Sequence, residues 1–582
     1  MSFKQFIPIL GWLPNYKKSY LKGDISAGLT VGVMLIPQGM AYALIAGLPA
    51  QYGLFTAIVP LIIYAIFGTS RQLAVGPVAL VSLMTLTAVS QLAEPGTETY
   101  ISLAITLALM VGLIELFLGL FRLGYLVNFL SHPVISGFTS AAAFIIGLSQ
   151  LKHILGINIP RGLKVHEIVI TAIEQSNLIN WTSFAIGIAG IAVIIISKKI
   201  NKSIPGSLLA VVFGLIIVQV MHLGADDIKI IGNIPSDLPT FRMPEISWSI
   251  FKDLFPLAAA LALVGFMESI AVAKSLQAKH KKEYKIDSNQ ELIALGLTSI
   301  GGSFFQSYTV EGGFGRSAVN DQAGAKTGVA AIISALMVVL ALLYLTPLFF
   351  NLPKAILGSI IMVAVVGLID FHEVKVLWKQ NRRDLSMLVA TFAGTLILGV
   401  EEGIGLGVIL SLAMVIYRTT RPHVAVLGNV PDTHFYRNVE RFKNLEVKNE
   451  ILIIRFDAQL YFANSDFFKE RLEKLIEEKG DQLKLVILNA ESINYLDSSA
   501  VHAIKDVVED YLDKGIEIAF SGVKGPVRDA MALADILTQS TGNNFFMSVQ
   551  EAVDCYLSSC LSTPKEKKGK ELGGYTMQSN KR

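Results

Sequence analysis

The sequence predicts an α-helical membrane domain followed by a small cytoplasmic α/β domain. Of the 582 residues, 52% are hydrophobic and only 16% are charged, whereas soluble domains carry about 25% charged residues. The apolar excess lies before residue 425, in runs of about 17–25 residues, the length needed to cross a bilayer. After Arg421 and Pro422, short apolar strands alternate with amphipathic helices, a pattern typical of an α/β layer domain.

Charge and motifs exclude several classes of protein. The net charge is only +3 and the basic residues flank the apolar runs, so we expect no nucleic-acid partner. Residues 324–327 lack the glycine spacing of a phosphate-binding loop, and His372-Glu373 has no second His four residues on. We therefore expect no enzyme activity, no cofactor and no metal ion.

Fourteen membrane segments are expected within a membrane domain at 24–425, after a cytoplasmic N-terminal segment at 1–23. The third and the tenth segments are too short to cross as ordinary helices. Each follows a polar or glycine-rich stretch, at 69–76 and 304–314 respectively. The predicted segments are 24–46, 52–67, 77–91, 99–121, 129–150, 181–197, 204–222, 254–273, 289–304, 315–324, 327–348, 354–369, 384–400 and 403–418.

Basic residues set the predicted orientation. With the N-terminus inside, the inner loops hold roughly 20 Lys and Arg and the outer loops about 7, in keeping with the positive-inside rule. An even number of segments then leaves both termini in the cytoplasm of a multi-pass protein.

The two halves of the membrane domain resemble each other weakly. Residues 35–43 of the first segment correspond to residues 265–273 of the eighth, and the broken third segment corresponds to the broken tenth. Seven segments separate each pair, so the second copy enters from the opposite side. Interrupted segments at matching positions of inverted halves indicate a substrate site at the bilayer midplane. Pro77 favours a helix start there in the third segment.

Residues 301–327 predict one wall of an anion site. A helix that starts near Gly315 brings together free backbone N–H groups, the positive end of a helix dipole and the guanidinium of Arg316. An Arg inside a membrane marks a functional site. The alternative is an Arg316 that pairs with Asp321 near the inner interface.

Further substrate-binding residues are expected on the first and third segments. Val78 and Ala79, together with Gly315 and Ser317 of the tenth segment, would act through backbone N–H groups. Gln38 and Tyr42 lie one helical turn apart on the first segment and share a face. The alternative for both is a hydrogen bond in helix–helix packing.

Glu268 on the eighth segment is the candidate for the coupling ion. A buried carboxylate holds either a proton or a cation, so this residue can couple H+ or Na+ to anion movement. The alternative is an ion pair with Lys274 at the membrane edge.

The C-terminal region predicts three strands, at 450–457, 483–488 and 516–520. Helices are expected at 464–479, 497–513, 527–537 and 549–557. Ser498 begins the second of these helices, where it is either a helix cap or a regulatory residue. The charged, glycine-rich tail at 559–582 is expected to be disordered.

Several motifs in order resemble those of the SulP family of anion transporters. They are Pro37-Gln38-Gly39-Met40-Ala41-Tyr42-Ala43, Phe67-Gly68-Thr69-Ser70-Arg71, Val75-Gly76-Pro77, Asn289-Gln290-Glu291-Leu292 and Gly315-Arg316-Ser317-Ala318-Val319-Asn320. Residues 435–558, with Asp497-Ser498-Ser499, resemble the STAS domain that these transporters carry. Many members have Ser at the position of Gly315, and Gly at the position of Ala500.

The resemblance implies an architecture and a mode of transport. It implies fourteen segments in a seven-plus-seven inverted repeat with a gate and a core of the uracil-permease kind, elevator-type motion and a homodimer. It also implies regulation through the STAS domain, by phosphorylation of Ser498 or by a cytoplasmic protein partner. Members carry sulfate, bicarbonate, chloride, oxalate and dicarboxylates.

We expect secondary active transport of a small inorganic anion, sulfate first, across the cell (inner or plasma) membrane with H+ or Na+ as co-ion. Bicarbonate or a dicarboxylate is the alternative substrate. A channel-like protein, or a sensor that signals through STAS, is the alternative class.

Overall fold

The computed structural model describes residues 6–125, 131–160, 163–200, 205–224, 226–280, 283–534, 536 and 544–558. The chain forms two compact units, Met1–Leu412 and Ala413–Arg582. The tail predicted at 559–582 lies outside the described residues.

The first half of the membrane unit contains the first seven predicted segments. A short helix, α1 (Ile9–Trp12), precedes them. The helices that follow are α2 (Lys18–Ile45), α3 (Ala50–Phe55), α4 (Val59–Phe67), α5 (Ala79–Ser90), α6 (Glu98–Leu120), α7 (His132–Ser149), α8 (Leu151–Ile154), α9 (Val165–Glu174), α10 (Trp181–Ile200) and α11 (Gly206–Val220). A two-residue strand, β1 (Val75–Gly76), precedes α5.

The second half repeats this plan. Its helices are α12 (Trp248–Lys279), α13 (Ser288–Ser303), α14 (Phe314–Gln322), α15 (Val329–Leu340), α16 (Lys354–Val366), α17 (Phe371–Gln380), α18 (Arg382–Ile397) and α19 (Val400–Thr420). The strand β2 (Glu311–Gly312) precedes α14 as β1 precedes α5. A π-helical turn (Ala341–Leu345) and a 3-10 turn (Thr346–Phe349) extend α15.

Helix packing follows the inverted repeat. The fourth segment, α6, packs against the eighth and ninth, α12 and α13. Its counterpart α15 packs against the first segment and the end of the second, α2 and α4. The pairs α7–α18 and α10–α16 are likewise related by the repeat. Fourteen segments in two inverted halves, as the sequence predicts, therefore make up this unit.

Close helix contact depends on small residues. A Cβ at Gly112 of α6 would lie 2.7 Å from the Gly296 carbonyl oxygen of α13, and a Cβ at Gly296 would lie 2.7 Å from the Gly112 carbonyl oxygen. Only glycine lets the two helix backbones approach this closely in a membrane.

Some segments differ from the sequence prediction. The first helix begins six residues early, at Lys18, and the second segment is broken between α3 and α4. The helix of the third segment begins at Ala79 rather than at Pro77. Within the described residues, nine helical stretches are long and apolar enough to cross a membrane, and α5 and α11 are shorter apolar helices.

The second unit is a six-stranded sheet with the strand order β4-β3-β5-β6-β7-β8. The strands β5 to β8 are parallel, and β3 is antiparallel to β4 and β5. The strands are β3 (Val424–Asn429), β4 (Tyr436–Asn438), β5 (Ile451–Phe456), β6 (Leu485–Asn489), β7 (Glu517–Ser521) and β8 (Phe545–Phe546). The sheet therefore begins before residue 435, where the sequence placed the start of this domain.

Helices cover both faces of this sheet. Apolar residues of α20 (Ser465–Lys479), α21 (Ser498–Leu512) and α22 (Gly525–Leu533) form one core with the sheet. Residues of α23 (Val549–Leu557) form a smaller core on the opposite face. Burial on both faces explains the nearly continuous apolar run of β6.

Candidate functional site

The two broken segments meet at paired strands. β1 and β2 are antiparallel, with Val75 opposite Gly312 and Gly76 opposite Glu311. The Gly313 N–H donates to the Ala74 carbonyl oxygen at 3.1 Å. These bonds satisfy extended backbone inside the membrane unit, and they bring the N-termini of α5 and α14 together.

Both N-termini lack a side-chain cap among the residues that the structure describes. The first N–H groups of a helix have no partner within the helix, and the helix dipole places about half a positive charge there. Val78 and Gly313 are the N-cap residues of α5 and α14. Two such ends in one place form an anion-binding arrangement.

Arg316 adds a full charge. Its side chain is only 3% exposed, and Nη1 donates to the Pro77 carbonyl oxygen at 2.6 Å. Within the described chain, Nε and Nη2 have no hydrogen-bond partner. These two donors form one side of the guanidinium fork, which suits an oxyanion.

Asp321 is not the partner of Arg316, so the ion pair considered as an alternative is absent. The Asp321 carboxylate instead accepts from Lys279 at 3.1 Å and bonds to His280 at 2.7 Å. Asp321 therefore does not neutralise the positive charge of Arg316, and this charge is available to a ligand in the cavity.

A cavity of about 270 Å³ lies in front of these groups. Helices α2, α5, α10, α11, α12, α14 and α16 contribute to its wall. Seven of the residues expected from the sequence line it: Gln38, Tyr42, Val78, Ala79, Glu268, Gly315 and Arg316. They come from four helices that are far apart in the chain, so the fold brings the expected site together.

The Glu268 side chain faces the cavity. Its Oε2 is buried and has no hydrogen-bond donor in the described residues, so the alternative of an ion pair with Lys274 finds no support. Glu268, Tyr42 and Tyr308 are close enough to Arg316 to act on it electrostatically. An acid and a base thus share the site without a direct ion pair between them.

Gln38 and Tyr42 form part of the cavity wall on α2. The Gln38 Oε1 is buried and has no hydrogen-bond donor in the part of the chain that is described. Tyr42 is also buried, at 7% exposed. An unpartnered amide at a cavity wall is available to a ligand.

Ser317 has a different position from the one expected. It does not line the cavity: its N–H donates to the Gly313 carbonyl oxygen at 3.0 Å. Its hydroxyl accepts from the Ala74 N–H at 2.8 Å and donates to the Gly313 carbonyl oxygen at 2.7 Å. Ser317 therefore joins β1 to α14, and its N–H is not free for an anion.

Lys198 lines the cavity and was not expected there. It lies near the end of α10 and is exposed. A basic group at a cavity mouth attracts anions. In the sequence it is one of many lysines that flank membrane segments, so nothing in the sequence distinguishes it as a residue of the cavity.

Two buried carboxylates that do not line the cavity hold loops in place. Asp24 accepts from the backbone N–H groups of Lys326 and Thr327, at 2.6 and 3.0 Å. Glu291 accepts from the Thr69 N–H at 2.7 Å. Each bond joins a helix of one half to a loop of the other, so both carboxylates have structural roles.

Ser498 is exposed at the start of α21. The cap is Asp497, whose Oδ1 accepts from the Ala500 N–H at 2.9 Å. The hydroxyl of Ser498 is therefore not needed as a cap, and the residue is accessible to a modifying enzyme.

Together, the fold and the site define a multi-pass membrane protein with half-helices that face a central cavity. Residues 21–391 match the profile of the Sulfate permease family, and residues 442–552 match the STAS domain. The chain belongs to the sulfate permease family, and it is a transport protein rather than an enzyme.

Relatives and solved structures agree with this assignment. The chain is 41% identical to the probable sulfate transporter 4.2 of Arabidopsis thaliana, over 94% of this chain and 83% of the relative. It is 40% identical to the chloroplastic sulfate transporter 4.1 of the same plant, over 96% and 84%. The inward-facing murine Slc26a9 anion transporter has a TM-score of 0.86 at 28% identity, over 95% of this chain and 94% of that chain.

Proposed function

We propose that this protein is a secondary active transporter of a small inorganic anion, with sulfate as the first candidate. The observation that carries the proposal is the unpartnered Nε–Nη2 side of the buried Arg316, beside two uncapped helix N-termini at one cavity. N–H dipoles and a guanidinium bind an oxyanion and need no metal. The names of relatives 4.1 and 4.2 support sulfate.

Substrate-binding roles are proposed for Gln38, Tyr42, Val78, Ala79, Gly315 and Arg316. The half-helices would bind the anion through N–H groups and Arg316 through its fork. Gln38 and Tyr42 would complete the wall on α2. Glu268 would hold the co-ion, H+ or Na+, because a carboxylate without a donor at the same cavity is most stable when a cation or proton accompanies it.

The access side follows from the lining of the cavity. Lys198 is near the end of α10, and Gly206 begins α11. The distribution of basic residues supports a cytoplasmic position for this connection. The cavity is therefore assigned to an inward-facing state, from which an elevator movement of the core, α2 to α6 with α12 to α15, would carry the site outward.

Further parts of the proposal concern assembly, location and regulation. We assign both termini to the cytoplasm, a homodimer as the assembly, and STAS regulation through Ser498 or a cytoplasmic protein partner. The cell membrane is the first candidate, although a relative at 40% identity is named as chloroplastic. Epitope accessibility at either terminus in intact cells tests the topology.

The deciding experiment is uptake of radiolabelled sulfate by proteoliposomes, with and without a pH or Na+ gradient. Accumulation above equilibrium under one of the gradients is the expected result, with competition by bicarbonate and dicarboxylates ranking the substrates. Uptake that only equilibrates under both gradients would refute coupled transport and favour the channel-like alternative.

A further inference from the structure

A pair of buried carboxyl groups lies behind the cavity wall. Glu115 on α6 and Glu311 on β2 are both fully buried, and they lie close enough to act on each other electrostatically. Neither residue lines the cavity described above. The pair is therefore separate from the position of Glu268.

The bonding of the pair is incomplete. Glu311 Oε2 accepts from the Ser269 hydroxyl at 2.6 Å. Both oxygens of Glu115 and Oε1 of Glu311 have no donor in the described part of the chain. Two neighbouring buried carboxylates that lack donors cannot both stay ionised in a low-dielectric interior. A proton between them removes the repulsion and supplies the missing donor.

Helix α12 has a glycine where the Glu311 carboxyl group packs against it. A Cβ at Gly265 of α12 would collide with the Glu311 carboxyl group. One turn on, the Ser269 hydroxyl accepts from the Gly312 N–H at 2.7 Å while it donates to Glu311. The same hydroxyl thus fixes both the carboxyl group and the strand that leads into α14.

Few other charges face the pair. On the helices packed against α6 and β2, the titratable groups that are not exposed to solvent are Glu268 of α12 and Glu291 of α13, whereas Lys252, Asp253, Lys274 and Lys279 of α12 are exposed. Glu268 acts on Glu311 electrostatically. Glu291 is bonded to Tyr64 and to the Thr69 loop. Neither residue offers a positive charge that could replace a proton.

The pair and the anion site belong to one segment of chain. Glu311 is followed by Gly312, Gly313 and then α14, which carries Arg316. An anion at the start of α14 would repel an ionised pair and would tolerate a protonated one. Binding of the anion and binding of the proton therefore favour each other, and this coupling is reciprocal.

We propose that Glu115 and Glu311 form a proton-binding site, distinct from Glu268, whose occupancy is linked to the anion in the cavity. The linkage to the anion rests on the proposed transport function. The proton-binding site itself does not, because it follows from the burial of two neighbouring carboxyl groups and from their missing donors in the described chain.

Proton uptake during anion binding tests the linkage. Inorganic sulfate is titrated into purified full-length protein by calorimetry in two buffers of different ionisation enthalpy. At an alkaline pH at which the carboxyl infrared band of the apo protein has disappeared, so that the pair is ionised before sulfate binds, the wild-type protein is expected to take up more protons per sulfate than Glu115→Gln or Glu311→Gln, by up to about one, since a pair shares one proton. Glu98→Gln, at the exposed end of the same helix α6, is the matched control and should equal the wild type. Equal uptake by wild type and both pair variants would overturn the linkage.

Infrared spectroscopy tests the site without a substrate. The protonated carboxyl band of the apo protein at neutral pH should lose intensity in Glu311→Gln and Glu115→Gln, and keep it in Glu98→Gln. No loss in either pair variant would overturn the proton site, as would disappearance of the band on addition of Na+ at constant pH. A band that behaves as expected, in a protein that accumulates no anion under any gradient, would uphold the site and refute the transport proposal.

Discussion

Among the residues of the proposed site, Arg316 has the environment that best fits anion binding. Its one described hydrogen bond goes to a backbone carbonyl of the facing half, and its Nε and Nη2 are buried without partners among the described residues. Two helix ends together supply roughly one positive charge, which an ionised Glu268 would cancel. The guanidinium therefore decides the sign of the potential in the cavity.

Replacement of Arg316 should weaken sulfate binding. Arg316→Ala is expected to cost about 1.5–3 kcal/mol, the contribution of a hydrogen bond to a charged group, or roughly ten- to a hundredfold in affinity. Arg316→Lys should recover only a minor part, because Lys lacks the Nε–Nη2 fork. Calorimetry on monodisperse protein measures both, and wild-type affinity in Arg316→Ala would remove this residue from the site.

Replacement of Glu268 should separate binding from coupling. Glu268→Gln resembles the protonated carboxyl group in shape and charge, so sulfate binding should persist while accumulation driven by a gradient is lost. The comparison is sulfate affinity against gradient-driven uptake in proteoliposomes. A variant that accumulates sulfate like the wild type would show that Glu268 does not carry the co-ion.

At the scale of elements, the site depends on two short helices that begin at the same place. The strand pair β1–β2 fixes their separation, and Ser317 joins β1 to α14. Gly313, the N-cap residue of α14, leaves room for the Arg316 side chain. A larger residue at this position should therefore displace the guanidinium and leave the fold unchanged.

Gly313→Ala tests this packing. The added Cβ would lie 2.8 Å from Arg316 Nη2 and 2.9 Å from Cζ, so the end of the Arg side chain must move. Sulfate affinity should fall severalfold, up to about tenfold, which corresponds to 1.4 kcal/mol, while thermal stability changes little. Gly405→Ala on α19, where a Cβ meets no described atom within 4 Å, is the control. Unchanged affinity in Gly313→Ala would show that Arg316 tolerates the methyl group where it lies.

In the STAS unit, the start of α21 depends on Asp497. Its carboxylate accepts from the N–H groups of Ala500 and Phe462, at 2.9 and 2.8 Å. Asp497→Ala should destabilise this region by about 0.5–2 kcal/mol, whereas Ser498→Ala should stay within about 0.5 kcal/mol. Hydrogen exchange of α21 peptides in the full-length protein measures both. Equal effects of the two substitutions would contradict the assignment of the cap.

At the scale of the whole molecule, the proposed anion site lies within one unit. All residues that line its cavity belong to Met1–Leu412, and the second unit has its own two cores. Binding is therefore expected to need only the membrane unit, and regulation to need both.

Truncation after Thr420, at the end of α19, tests this division. A cut at this point removes the whole STAS sheet, including β3, and so leaves no unpaired strand behind. The truncated protein should bind sulfate with near wild-type affinity and show reduced transport or assembly. Loss of binding in a truncated protein that remains monodisperse and helical would place part of the site elsewhere.

The sequence by itself determined the membrane class and the fourteen segments, and it predicted most of the residues of the proposed anion site. Apolar runs of bilayer length are read directly from composition, and an Arg beside glycines in a short polar segment is costly unless it is functional. Only the tertiary structure decided which polar residues face the cavity. It placed Ser317 in the strand–helix joint, brought Lys198 to the cavity and put Glu115 against Glu311. These contacts join residues as many as 243 positions apart. Helix packing creates them, so no local sequence pattern predicts them.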